Sequence, residues 1–182
     1  MTIVCAYCSP RSFTMMAADS RSSSGTFIWP ERSQKILRVG ARLYGAAGSD
    51  LVLEIIMVAA RGEHPTGSPQ RFRDNLWEHL RERGWERESN RGGEAAGYNV
   101  QIIVAAAEGL WGIVGDGTIW QPQCNFIAIG SGQDFAYGAA MALMANSNYS
   151  DDRDAEHLLR TCCRIACEFR SDCGGEIVVE KL

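Results

Sequence analysis

The chain has 182 residues, 46% hydrophobic and 22% charged, which suits one globular domain spanning 1–182 with a core of its own. Lys plus Arg total 18 against 22 Asp plus Glu, a formal charge of -4, so the basic excess of a nucleic-acid binder is absent. No apolar run reaches the ~20 residues of a membrane helix, and MTIVCAYCSP shows no basic leader before an apolar stretch. The expectation is a cytoplasmic protein with neither nucleic acid nor membrane as partner.

Residues 2–8 and 13–18 read as strands around the turn Ser9-Pro10-Arg11-Ser12. A polar loop is expected at Ser22-Ser23-Ser24-Gly25, then short strands at 26–29, 35–39 and 42–46. A helix follows, with Ser49 as its cap and Asp50 near its start; Leu51 to Ala60 is apolar nearly all round, apart from Glu54. After a break at Gly62–Gly67, Ser68-Pro69 restarts a helix with Phe72, Leu76 and Leu80 on one face and Gly84 as its stop.

The polar, glycine-rich stretch 86–98 reads as a mobile loop. Strands return at 99–106 and 110–114 around Glu108-Gly109, and Asp116-Gly117 signals a hairpin into 118–120. Phe126 to Ile129 is a strand running into Gly130-Ser131-Gly132. A helix is expected at about 134–145. A fourth, capped by Ser150, carries the stripe Ala155, Leu158, Leu159, Cys162, Cys163, Ala166 and Phe169. Residues 174–179 close the chain as a strand. Strands, two helices, strands, two helices and a strand point to α+β, with two face-to-face sheets between helix pairs.

The seven cysteines are odd in number and the chain is no small disulfide scaffold. Cys5 and Cys8 have no second pair at zinc-ribbon spacing, so buried free thiols are expected rather than a metal site. His64, His79 and His157 are scattered, and no Gly-x-Ser-x-Gly elbow is present.

Four places invite chemistry. Thr2 follows the initiator Met; removing Met1 would leave a hydroxyl beside a free amine of pKa about 7.7–8.0, nucleophile and base in one residue. Alone, it reads first as the ordinary start of a strand. Asp19 and Lys35 border predicted strands; a buried Lys near Thr2 would lower the hydroxyl pKa, held by the carboxylate, whereas a surface salt bridge would do nothing. Gly48 precedes a helix and offers a backbone N–H to an oxyanion, or simply makes a turn. Gly130-Ser131-Gly132 is too short for a phosphate loop.

Together these residues resemble the proteasome β-subunit and HslV-like family of N-terminal threonine peptidases. Thr2-Ile3-Val4, Ala17-Ala18-Asp19-Ser20-Arg21, the Asp19–Lys35 interval and Gly45-Ala46-Ala47-Gly48 are all similar to family segments. The most specific match is Phe126-Ile127-Ala128-Ile129-Gly130-Ser131-Gly132 followed by Ala136, Ala139, Ala140 and Ala142-Leu143, with Gly115-Asp116-Gly117 and Gln121-Pro122 before it.

The resemblance implies a four-layer αββα sandwich and a threonine-type endopeptidase. Thr2 would attack a peptide carbonyl, with Lys35 tuning its hydroxyl, Asp19 orienting Lys35, the Gly48 N–H holding the oxyanion and Ser131 supporting the amino terminus. Asp172, in Ser171-Asp172-Cys173-Gly174-Gly175, approximates a further family position. The resemblance also implies peptide or unfolded-protein substrates, homo-oligomeric stacked rings, an ATP-dependent unfoldase as partner in some members, no required cofactor, and in many members a structural monovalent cation on C-terminal carbonyls. Direct alignment sets Met1 where the family exposes its first Thr, so Thr2 as nucleophile needs a first hairpin one residue longer. The alternative is a catalytically inactive structural or assembly subunit of the same fold.

Overall fold

The computed structural model describes residues 2–10, 13–24, 27–48, 51–61, 68–85, 98–145 and 149–182. The expected Ser49 cap with Asp50, the break at 62–67 and residues 86–97 of the polar loop lie outside them.

The first hairpin joins β1 (Val4–Cys8) to β2 (Thr14–Asp19), pairing Val4 with Ala18 and Cys8 with Thr14. β10 (Phe126–Ile129) lies on the other side of β1 and β11 (Ile177–Lys181) beside β2, giving the antiparallel order β10-β1-β2-β11. The second sheet is β5 (Ile36–Val39), β6 (Arg42–Gly48), β7 (Val100–Ala106), β8 (Gly109–Val114) and β9 (Ile119–Trp120), in that order. Of the residues expected to loop out at 22–25, those at 22–24 instead lie in β3 (Arg21–Ser24), which pairs with β4 (Phe27–Arg32), and Gly25 lies outside the described residues. Ser and Arg are poor strand formers alone, and pairing with the apolar stretch of β4 overrides that local preference.

Strand periodicity divides the core. Val4 and Ala6 point between the sheets, where they meet Met16, Ala18, Leu43 and Ile103. Ile3, Cys5 and Tyr7 point the other way, onto the outer helices α3 (Gln133–Met144) and α4 (Asp152–Phe169). Across the molecule, Tyr44, Ile102 and Val104 pack on α1 (Leu51–Arg61) and α2 (Pro69–Glu82). The layers are therefore αββα, as the segregated pattern implied. No helix among the described residues is long and apolar enough to cross a membrane.

Helix ends follow the expected chemistry with two corrections. Ser68 caps α2 by accepting from Arg71 N at 3.3 Å, with Pro69 at the first position, and Gly84 stops it at φ +74. The cap of α4 is Asp151 and not Ser150: Asp151 takes the extended conformation and accepts from Asp154 N at 2.9 Å. Phe169 is not in the buried stripe. It is 66% exposed and stacks on the likewise exposed Phe135, ring centroids 5.1 Å apart, so the two rings cover each other instead of joining the core.

Candidate active site

Asp19 ends β2 with its side chain wholly buried, and it is a hub. Oδ1 accepts from Thr2 Oγ1 at 2.7 Å, Ile3 N at 2.9 Å and Lys35 Nζ at 2.7 Å; Oδ2 accepts from Gly174 N at 2.9 Å. Lys35 Nζ also donates to Arg21 O at 2.7 Å. The Lys35 and Asp19 side chains are 5% and 0% exposed, so this is no surface salt bridge. A pair removed from water persists only when hydrogen bonds satisfy both ends, as they do here.

Thr2 is 4% exposed and fixed from behind through its carbonyl, which accepts from Ser131 Oγ and Gly132 N, each at 3.4 Å. It thereby meets an unsatisfied donor at the start of α3, where Gly132 caps without a side-chain bond. Gly130 makes this contact possible: it sits at φ +94, and a Cβ there would lie 2.2 Å from Thr2 O. Gly48 has φ +139, and a Cβ would lie 2.7 Å from Asn99 O. Thr2, Gly48 and Ser131 all line one cavity of about 720 Å³.

Asp172 lies one step further out. Arg170 grips its carboxylate through Nε at 3.1 Å and Nη2 at 2.7 Å, which holds it below the usual carboxylate range against the opposing effect of burial. Its link to Thr2 is indirect. The Cys173 thiol touches Asp172 Oδ1 at 3.8 Å and Ser131 Oγ at 3.5 Å, and Ser131 reaches the Thr2 carbonyl. Burial pushes the Cys173 thiol up to about 11, so it is a neutral member of this chain.

The C-terminal turn was the expected seat of a cation. Its Ser171 and Cys173 carbonyls converge on Arg21 Nη1, each at 2.8 Å. A cation at that pair would face a guanidinium already in place, and the pair does not suit one. Among the described residues no group of three or more His, Cys, Asp or Glu is placed to hold a metal.

Thr2, Asp19 and Lys35 thus share one carboxylate oxygen, Ser131 and Gly48 share the Thr2 cavity, and Asp172 joins through Ser131, directly and by way of Cys173. The sequence reading missed Cys173 and Gln101. Gln101 Oε1 accepts from Gly130 N at 2.8 Å, and the residue lines the cavity. Its signal was legible: it is the one polar side chain in the strand Val100–Ala106.

The curated ATP-dependent protease subunit HslV of Petrotoga mobilis is 31% identical over 158 residues, covering 86% of this chain and 83% of that protein. The chain belongs to the proteasome β-subunit and HslV-like family. Another member, HslV of Pseudothermotoga lettingae, is 28% identical over 171 residues, 93% of this HslV-like chain and 91% of that protein. The likeness is therefore not confined to one motif. Among solved structures, Thiobacillus denitrificans BPH in complex with epoxomicin has TM-score 0.76 at 23% identity, over 100% of this chain and 98% of that one. HslV from Trypanosoma brucei has TM-score 0.69 at 24% identity, over 100% and 99%. At such identities the structures bear on the fold, which is the αββα sandwich described above. No family model matches the chain.

Proposed function

We propose that this HslV-like chain is a threonine-type endopeptidase, with Thr2 as nucleophile after loss of Met1, working in a cytoplasmic ring of identical subunits. The observation that carries the reading is the meeting of the Thr2 hydroxyl and the Lys35 ammonium on Asp19 Oδ1, at the edge of the cavity that Gly48 and Ser131 line.

The freed Thr2 amine takes the hydroxyl proton as Oγ1 attacks the peptide carbonyl. Lys35 brings a fixed positive charge close to the developing alkoxide, and Asp19 holds both groups in place. The Gly48 N–H stabilises the tetrahedral oxyanion. Collapse expels the amine of the departing peptide, which takes the proton from the Thr2 ammonium and leaves an ester on Oγ1. Water, activated by the same amine, releases the acid. No cofactor enters these steps. The relatives' names, ATP-dependent protease subunit, support a polypeptide substrate and an ATP-driven partner that delivers it.

A second reading, an inactive ring subunit, is favoured by one feature. The Thr2 hydroxyl donates to a carboxylate and the residue is 4% exposed, an arrangement that also suits a purely structural strand start. Peptide cleavage separates the two. Under the first reading Thr2→Ala abolishes turnover and leaves assembly, judged by light scattering, as in the parent. Normal cleavage by Thr2→Ala refutes the nucleophile.

A further inference from the structure

The cavity beside Thr2 has a side chain that this mechanism does not use. Gln101 has the same strand parity as Ile103 and Ala105, whose side chains pack between the sheets. It pairs with Ala47 on one side, next to Gly48, and with Val114 on the other. A polar amide on that face needs a partner, and Gly130 N supplies one at 2.8 Å. Because that partner is an N–H donor, the amide atom facing it must be the oxygen. The NH2 end is thereby fixed on the other side, and it has no hydrogen-bond partner among the described residues. The cavity lining contains no Asp, Glu, Lys or Arg among the described residues. Such a lining suits main-chain groups of a ligand better than charged side chains.

We infer that Gln101 is a substrate-positioning residue: its amide NH2 donates to a main-chain carbonyl of a peptide lying in the Thr2 cavity. The inference rests on the peptidase reading above and adds to it where the peptide is gripped. The same side chain braces the Gly130 turn, which touches Thr2, so peptide binding and nucleophile placement share one residue.

Two variants separate gripping from bracing. Gln101→Glu keeps an oxygen for Gly130 N but replaces the donor with an acceptor; Gln101→Met removes both without adding charge. With a neutral fluorogenic peptide as probe, both variants raise KM about three- to tenfold, the worth of one neutral hydrogen bond, with a smaller effect on kcat. A KM rise confined to Gln101→Met would mean that the residue only braces the turn. A rise confined to Gln101→Glu would be charge repulsion alone. Unmoved KM in both, like either of those results, overturns the inference while leaving the peptidase reading intact. A parent chain that neither cleaves peptide nor reacts at Thr2 overturns both together.

Discussion

The Thr2 hydroxyl donates to Asp19 Oδ1 at 2.7 Å, across 17 positions of sequence and with both residues buried. The same oxygen takes the Lys35 ammonium, so one carboxylate oxygen holds the hydroxyl and the ammonium side by side. Asp19 is also bonded to Ile3 N and Gly174 N, which tie it to β1 and to the C-terminal turn.

Removing the ammonium tests that arrangement. Lys35→Met leaves Asp19 with an uncompensated buried charge, and loss of one partner of such a pair costs about 3–5 kcal/mol. Urea unfolding should show a destabilisation of that order, and peptide cleavage should disappear even at temperatures where the variant stays folded. Unchanged stability would mean that solvent reaches the pair.

Gly130 tests the backing of Thr2. Gly130→Ala meets both a positive φ of +94 and a contact of 2.2 Å with Thr2 O, so its cost exceeds the roughly 1–2 kcal/mol of left-handed backbone for an L-residue. Gly40→Ala is the control: φ is +58 but nothing lies within 4 Å of the added carbon. Thermal melting should separate the two variants clearly, and only Gly130→Ala should lose reaction at Thr2.

Acid sensitivity follows from Asp172. Its folded pKa is depressed, chiefly by Arg170, below an unfolded value of about 3.9. The stabilisation is therefore present above the unfolded pKa and is lost as pH falls through the folded one. Asp172→Asn should lower stability near neutrality, where the Arg170 contact acts, and flatten the acid limb below about pH 4, so that the two profiles converge in acid. An unaltered acid limb would show that the Arg170 contact contributes nothing.

The thiols should be quiet. Burial pushes Cys162 up to about 12 and Cys173 up to about 11, and Cys5 well above its usual value. At pH 8 the folded chain should take up iodoacetamide at none of these three, and the unfolded chain at all of them; peptide mass mapping reads the difference. Rapid native labelling at Cys173 would contradict its place behind Ser131.

The layers were legible from the segregated order of strands and helices, with periodicity clear in some elements: Phe72, Leu76 and Leu80 read as one helix face, and Ala155, Leu158, Leu159, Cys162, Cys163 and Ala166 as another. What failed was local. Ser150 and Asp151 are both good caps, and only the backbone conformation chooses between them. Phe169 keeps the helical spacing, but spacing alone does not say which positions on that face are covered, and Phe169 stacks on Phe135 instead. Arg21–Ser24 is polar, and its pairing with β4 is a partner effect that composition does not carry.

The site divides in the same way. Thr2, Asp19, Lys35, Gly48 and Ser131 stood out through their setting in recognisable segments. Cys173 did not, because a buried thiol reads as apolar filling until its contact with Ser131 is seen. Gln101 was visible as a lone amide in an apolar strand, but its purpose needed the Gly130 contact 29 residues away.

Mass spectrometry of the whole chain, before and after treatment with an inhibitor directed at N-terminal threonine, bears most directly on the central claim. The account predicts a mass lacking Met1 and one adduct per chain, mapped to Thr2 and absent from Thr2→Ala. A chain that keeps Met1 and forms no adduct would contradict it.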